Sequence, residues 1–197
     1  MAVILMPDGG IKTLFHKALG AALETLRAKD KYGWLDGEFA KIRQLQADNR
    51  GAVGEDFVVA LLTAAGKKVK HTARTDPQNK QWDIVADGIR LEVKLATMGA
   101  SSATFQHEHL EKDRQYDGII FVDVAPDDIY IICVAKCDID WSKLHRRRHG
   151  IEYKWDWTLS KIRGNKMTTL ADFIAAYDKM ARRITSAKGY RRPPEEI

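Results

Sequence analysis

The sequence predicts an α/β or α+β fold in which a mixed central β-sheet is flanked by helices. Residues 11–29 and 53–65 repeat apolar residues with the period of an amphipathic helix. Residues 117–124 and 129–135 are short runs rich in Ile and Val, which is typical of buried strands. Between these segments an Asp-Gly pair separates two alternating runs, which indicates a β-hairpin.

The remaining elements follow from the same patterns. Gly66 is expected to end the second of those helices, and Thr168 or Thr169 to cap the last one. The strand at 129–135 is expected to be central, because its residues hardly alternate between apolar and polar. Further helices are predicted at 37–48, 106–116 and 169–182, further strands at 67–73 and 154–159, and loops at 74–80 and 96–103.

Composition limits the class of protein. The chain has 197 residues, of which 45% are hydrophobic and 30% charged, as in a soluble globular domain. No apolar run is long enough to cross a bilayer, so no membrane partner is expected. The apolar start lacks basic residues and reaches Pro7 at once, unlike a secretory signal. Two cysteines, Cys133 and Cys137, exclude a disulfide framework and favour a cytoplasmic location.

Positive charge is concentrated towards the C-terminus. Residues 143–197 contain 14 Lys and Arg against 6 Asp and Glu, a net charge of +8, whereas residues 1–142 contain 18 against 21, a net charge of −3. Basic runs such as HRRRH at 145–149 suit a polyanion, above all a nucleic acid. A solubilising tail would carry the same charge, so the charge alone does not decide between the two.

The hairpin at 81–95 carries charged residues in an unusual arrangement. With Asp87-Gly88 as a two-residue turn, one face is uniformly apolar and the other carries acidic and basic residues. Asp83 then faces Glu92 across the strand pair, and two such like charges repel. Either Lys94 or a divalent cation would compensate them. The alternative is a solvated face with weak ion pairs.

Asp83, eight intervening residues and Glu92-Val93-Lys94 resemble the motif of the PD-(D/E)xK nucleases. Trp82 stands where the motif has proline, a position that varies in the family. Members place a helical Glu upstream, as Glu55 is placed here, and a Phe-Gln pair follows the ExK strand in related groups. The resemblance covers about residues 50–136. It implies a restriction-endonuclease-like core over 50–140, preceded by a helical segment at 1–49 and followed by a basic extension at 141–197.

The resemblance also implies roles for individual residues. Asp83, Glu92 and the backbone carbonyl of Val93 would hold Mg²⁺ or Mn²⁺, and Lys94 would orient the attacking water. Glu55 would bind a second metal ion or hold Lys94, and Gln106 would orient the water. Alternatively, Glu55 is an exposed acid favoured by the helix dipole, and Gln106 is an ordinary polar residue.

The expected function is that of a Mg²⁺-dependent DNA endonuclease, of type II restriction type, which cuts double-stranded DNA as a homodimer in the cytoplasm of a prokaryote or phage-infected cell. Two alternatives stay open. Residues 49–69 also resemble the helix entry of archaeal Holliday-junction resolvases, and a nuclease fold can bind nucleic acid without cutting it. The candidate DNA contacts are Arg74, Lys80, Ser101, Ser102, Arg146, Arg147 and Arg148.

One further motif, QHEH at 106–109, has the composition of a metal site. His107 and His109 are separated by two positions and would not share a face of the predicted helix, which argues against a shared metal ion.

Overall fold

The computed structural model describes residues 10–76, 78–147, 152–187 and 190. The helices are α1 (Gly10–Lys29), α2 (Ala47–Ala64), α3 (Thr72–Thr75), α4 (Leu159–Ile162) and α5 (Leu170–Thr185). The strands are β1 (Val69–His71), β2 (Ile84–Ala86), β3 (Ile89–Thr97), β4 (Thr104–Glu111), β5 (Gly118–Val124), β6 (Ile129–Ala135), β7 (His145–Arg146) and β8 (Glu152–Thr158). In the described part of the chain, no helix is long and apolar enough to cross a membrane.

The central sheet has five strands in the order β1-β2-β3-β5-β6. β3 and β5 run parallel, and the other neighbours run antiparallel, so the sheet is mixed as predicted. The hairpin has the predicted register, with Ile84 opposite Leu91 and Ala86 opposite Ile89. Asp87 and Gly88 both have positive φ, 48° and 80°, which is the backbone of the tightest hairpin turns.

Two helices cover one face of this sheet. Gly54 of α2 approaches Leu95 of β3 so closely that an added Cβ would lie 2.9 Å from the Leu95 Cβ. α5 packs on β6, and an added Cβ at Gly118 of β5 would lie 2.9 Å from the Met180 sulfur. Because Gly118 pairs with Leu91, which alternates onto the same face as Leu95, α2 and α5 share that face.

The prediction that 129–135 forms the central strand is wrong. β6 lies at the edge of the sheet. Of the two apolar strands, β5 is the interior one, and all seven of its residues are buried. β6 shows little alternation because α5 covers part of its surface, so its apolar residues do not mark an interior position.

The predicted helix at 106–116 is also wrong. Residues 104–111 form β4, which pairs with β8 in a three-stranded antiparallel sheet of order β4-β8-β7. Phe105 and His107 are buried, whereas Gln106 between them is exposed, which is the period of a strand. Phe105 lies opposite Trp157 and His107 opposite Trp155, so aromatic partners stabilise the strand.

This second sheet packs on the other face of the central sheet. The Phe121 ring lies 4.6 Å from His107, 4.9 Å from Trp157 and 5.6 Å from Trp155, measured between ring centroids. Trp157 Nε1 donates a hydrogen bond to Asp123, and His107 Nε2 lies 2.9 Å from Asp123 Oδ1 without the alignment of a hydrogen bond. The charged and aromatic groups are buried between the two sheets.

The predictions for the N-terminal half are confirmed in part. α1 coincides with the predicted helix at 11–29, and α2 ends just before Gly66, whose φ is +72°. α2 begins at Ala47 instead of residue 53. The predicted helix at 37–48 is replaced by a short 3₁₀ helix over Ala40–Gln44 and, at residues 47 and 48, by the start of α2. The predicted loop at 74–80 begins inside α3.

The last helix is confirmed, together with its cap. Thr169 accepts a hydrogen bond from the Asp172 N–H, and the Asp172 carboxylate accepts one from the Thr169 N–H. This reciprocal pair is a capping box, which fixes where α5 begins.

Candidate active site

Asp83, Glu92 and Lys94 lie together at the open end of the β2–β3 hairpin. The Asp83 N–H donates to the Leu91 carbonyl at 2.9 Å, and Asp83 Oδ2 accepts a 2.7 Å hydrogen bond from the Val93 N–H. Lys94 Nζ lies 2.7 Å from Glu92 Oε1. The strand pair therefore holds both carboxylates and the lysine in one small volume.

The negative charge of this cluster is only partly neutralised. Glu92 is 2% exposed; its Oε1 faces Lys94 and, at 3.3 Å, the Arg114 guanidinium, while its buried Oε2 has no hydrogen-bond partner in the described residues. Burial, followed by the charge of Glu92, raises the pKa of Asp83 to about 7, although the Val93 N–H and Lys94 act in the opposite direction. One more positive charge would stabilise the ionised pair.

Glu55 projects from α2 towards the same cluster. Its Oε2 lies 3.0 Å from His71 Nε2, and its charge contributes to the raised pKa of Asp83. His71 stands opposite Ile84, the residue next to Asp83. α2 can bring Glu55 this close because Gly54 has no side chain between the helix and β3.

Two residues near the cluster were not predicted from the sequence to belong to it. Arg114, in the loop between β4 and β5, contacts both Glu92 and Glu111. His71 stands between Glu55 and Asp56, and its Nδ1 lies 3.7 Å from Asp56 Oδ1. Both depend on tertiary contacts, and neither belongs to a local motif.

The donor set fits Mg²⁺ in its chemistry. Mg²⁺ prefers carboxylate oxygens, uses one or two of them, and keeps several waters. Asp83 and Glu92 supply two carboxylates, and the unpartnered Glu92 Oε2 is an available oxygen. No three His, Cys, Asp or Glu side chains among the described residues are grouped closely enough to form a complete protein cage.

Gln106 is separated from this cluster. It lies exposed on β4, opposite Asp156 of β8, and no hydrogen bond joins it to Lys94 or Glu92 in the described residues. It lines a cavity of about 320 Å³ together with Ser102 and Thr104. Ser102 and Ser101 are exposed, and Ser102 Oγ lies 2.8 Å from Thr104 Oγ1.

The basic candidates for DNA contact differ in their surroundings. Arg74 pairs with Asp56, and Arg147 pairs with Glu108 through two contacts of 2.6 and 2.9 Å. Lys80 and Arg146 are exposed and have no ion-pair partner in the part of the chain described. Arg148 lies outside the described residues.

The two histidines of QHEH point apart. Although residues two apart share a face of a regular strand, β4 is irregular between His107 and Leu110, and His109 has a φ of +56°. His107 is buried, whereas His109 is exposed and its Nδ1 lies 2.8 Å from Glu152 Oε2. Residues 106–109 belong to a strand and not to the predicted helix, but the two histidines are separated nevertheless.

Comparison with known proteins gave a likeness to a solved structure. No protein-family model and no curated protein matches the chain. The fold is similar to the solved structure of a bacterial homing endonuclease, I-Ssp6803I, with a TM-score of 0.45 and 11% sequence identity over 72% of this chain and 99% of that one.

Proposed function

We propose that this protein is a metal-dependent endonuclease that hydrolyses phosphodiester bonds of double-stranded DNA. The observation that carries the proposal is the pair of carboxylates, buried Glu92 and half-buried Asp83, beside Lys94. A fold selected for stability alone gains nothing from two carboxylates of which one is protonated near neutral pH. A divalent cation would stabilise both carboxylates in their charged form and use them as ligands.

Asp83, Glu92 and the Val93 carbonyl would hold Mg²⁺ or Mn²⁺, which supplies Lewis acidity and charge neutralisation at the phosphate when bound. The Val93 N–H fixes the orientation of Asp83, and β3 fixes that of Glu92. Lys94 orients the attacking water and favours its deprotonated form through its positive charge. Lys94 is held beside Glu92, which keeps the ammonium group at a defined position.

Glu55, His71 and Arg114 support this centre. Glu55 is tied to His71 and either orients Lys94 or binds a second metal ion. Arg114 shares Glu92 Oε1 with Lys94 and helps to hold that carboxylate in place. Gln106, which is separated from the centre, acts on DNA elsewhere on the protein surface.

The restriction-type reaction, in which both strands are cut, follows from pairing two copies about a two-fold axis. The net charge of +8 over residues 143–197 supplies the sequence-independent attraction to DNA. Arg146 and Lys80 are exposed, which supports a role for them as contacts to the DNA backbone.

A DNA-binding protein that does not cut is the second candidate. It is favoured by the ion pair between Lys94 and Glu92, because in such a protein the lysine would stand in for the cation. A junction-resolving nuclease would share the same centre and differ in the shape of its substrate.

A cleavage assay tests the proposal. The purified protein is incubated with linear duplex DNA, a four-way junction and RNA, each with Mg²⁺, with Mn²⁺ and with chelator. We expect cleavage of duplex DNA that requires the metal ion. Cleavage confined to the junction favours a resolvase, and DNA binding without cleavage of any substrate favours the second candidate.

A further inference from the structure

A polar cavity of about 320 Å³ lies at the end of β3, where the starts of α2 and β4 meet it. It is formed by segments far apart in the sequence and is outside the Asp83–Glu92–Lys94 cluster. Most of the side chains that could bind a ligand there are neutral hydrogen-bonding groups: Thr97, Ser102, Thr104 and Gln106.

Arg50 is the charged residue of the lining. Its NH1 group donates one long hydrogen bond, 3.4 Å, to Thr97 Oγ1, and no carboxylate lies within ion-pair distance of it among the described residues. Two other partly buried cations have acidic partners, Arg90 with Asp117 and Lys67 with Asp178, and Lys136 donates to the Arg114 carbonyl. The half-buried Arg50 therefore lacks the anion that such a group needs.

We propose that this cavity binds a phosphate group of the DNA backbone, with Arg50 as the cationic ligand; the inference rests on the proposed function and extends it to a substrate-binding site. A guanidinium offers paired N–H donors that match two phosphate oxygens. Hydroxyl groups of Ser102 and Thr104 and the Gln106 amide add neutral donors. No acidic side chain lines the cavity to repel the phosphate.

The distance from the candidate active site suits a strand that spans both. Lys94 and Thr97 are three residues apart on β3, which corresponds to about 10 Å along the strand. A DNA strand carries one phosphate per nucleotide, so a strand bound at the candidate active site would place a neighbouring phosphate within reach of the cavity. The close packing of Gly54 on Leu95 keeps α2 and Arg50 at this distance.

The test measures binding of a random-sequence DNA duplex, in chelator so that no strand is cut, for the wild type, Arg50→Ala, Arg50→Gln and Arg50→Lys at several salt concentrations. Loss of a charged hydrogen bond to phosphate is expected to weaken binding about tenfold or more in the Ala and Gln variants. The slope of log affinity against log salt should flatten by about 0.9, and Arg50→Lys should keep most of that slope. Arg27→Ala, which removes an exposed arginine of α1 outside the basic C-terminal region, is the charge-matched control and should bind like the wild type.

Thermal unfolding monitored by circular dichroism confirms that each variant is folded. Equal affinity and equal salt slope for wild type and Arg50→Ala overturn the inference, as does a wild type that binds no DNA or a loss of affinity in Arg27→Ala as large as that in Arg50→Ala. The proposed function can fail separately. If the wild type binds DNA through Arg50 but cleaves nothing with Mg²⁺ or Mn²⁺, the phosphate site is supported and the nuclease activity is contradicted.

Discussion

Asp83 Oδ2 accepts a 2.7 Å hydrogen bond from the backbone N–H of Val93, the residue directly after Glu92. This bond ties the Asp83 side chain across the hairpin to β3, although the regular pairing of β2 and β3 ends one residue earlier, at Ile84 and Leu91. It holds a carboxyl group beside Glu92 in spite of the repulsion between them. The relationship leads to predictions that separate catalysis, metal binding and stability.

Asp83→Asn and Glu92→Gln should each reduce metal-dependent cleavage at least about 100-fold, because each removes a charged ligand of the metal ion. DNA binding in chelator should stay within about twofold of the wild type. The rates are measured on a duplex substrate at saturating Mg²⁺. Asp87→Asn makes the same chemical change at the exposed turn of the same hairpin and should cleave normally. Full activity in both variants would remove the two carboxylates from the mechanism.

Lys94→Ala should lose cleavage even at saturating metal concentration, because the role of Lys94 is to orient water and not to bind the metal ion. The measurement is a Mg²⁺ titration of the cleavage rate. Since the substitution also leaves Glu92 with Arg114 as its remaining cationic neighbour, metal affinity should rise or stay equal. Complete rescue by added Mg²⁺ would contradict the assigned role.

The metal-free protein should become less stable as the pH rises from about 4 to about 7. Because the pKa of Asp83 is raised to about 7 in the fold, the folded chain binds more protons than the unfolded chain over this range, and the free energy of unfolding falls with pH. Asp83 changes the free energy of unfolding over this pH range by at most about 4 kcal/mol. Urea unfolding at pH 5 and pH 8 measures it.

Two comparisons isolate that contribution. Asp83→Asn should flatten the pH dependence and be more stable than the wild type at pH 8, because residue 83 then carries no charge beside Glu92. Mg²⁺ at pH 8 should stabilise the wild type and not the variant. A pH profile that is identical in wild type and variant would show that another group causes it.

Gly54→Ala should destabilise the protein by about 1–3 kcal/mol, although alanine is the better helix former. The added Cβ would meet Leu95 Cβ at 2.9 Å, so α2 would have to move away from β3 and carry Glu55 with it. Gly51→Ala, in the same helix with nothing within 4 Å of the new Cβ, is the control and should stabilise by up to about 1 kcal/mol. Urea unfolding measures the free energy of unfolding of the two variants. Equal effects of Gly54→Ala and Gly51→Ala would show that the close packing at Gly54 is unimportant.

Local signals predicted some elements of this fold well. The Asp87-Gly88 turn determined the register of the hairpin, because a two-residue turn of this type admits one pairing and a slip would bury the charged face. The cap of α5 was readable because both partners of the capping box lie within one turn. The chemistry assigned to Asp83, Glu92 and Lys94 stays a prediction, although the hairpin does bring the three side chains together.

The predictions that were wrong concern elements whose structure depends on contacts with residues far away in the sequence. The stretch at 106–116 contains charged and polar residues that suit a helix, and its strand partner, β8, lies about 45 residues further along the chain. The order of β5 and β6 likewise depended on which strand α5 would cover. Apolar content shows that a strand is buried, but it does not show whether a neighbouring strand or a helix buries it.

By itself, the sequence determined the mixed α+β class, the hairpin with its charged face, and the ends of the best-capped helices, because these depend on residues within a few positions of each other. The tertiary structure decided that His71 meets Glu55 and that Arg114 meets Glu92. It also placed Arg50 in a cavity beside β3, with no carboxylate partner among the described residues. Each of these contacts joins elements that are separated in sequence. Their geometry is set by the packing of helices and sheets around one core, which no local pattern of residues records.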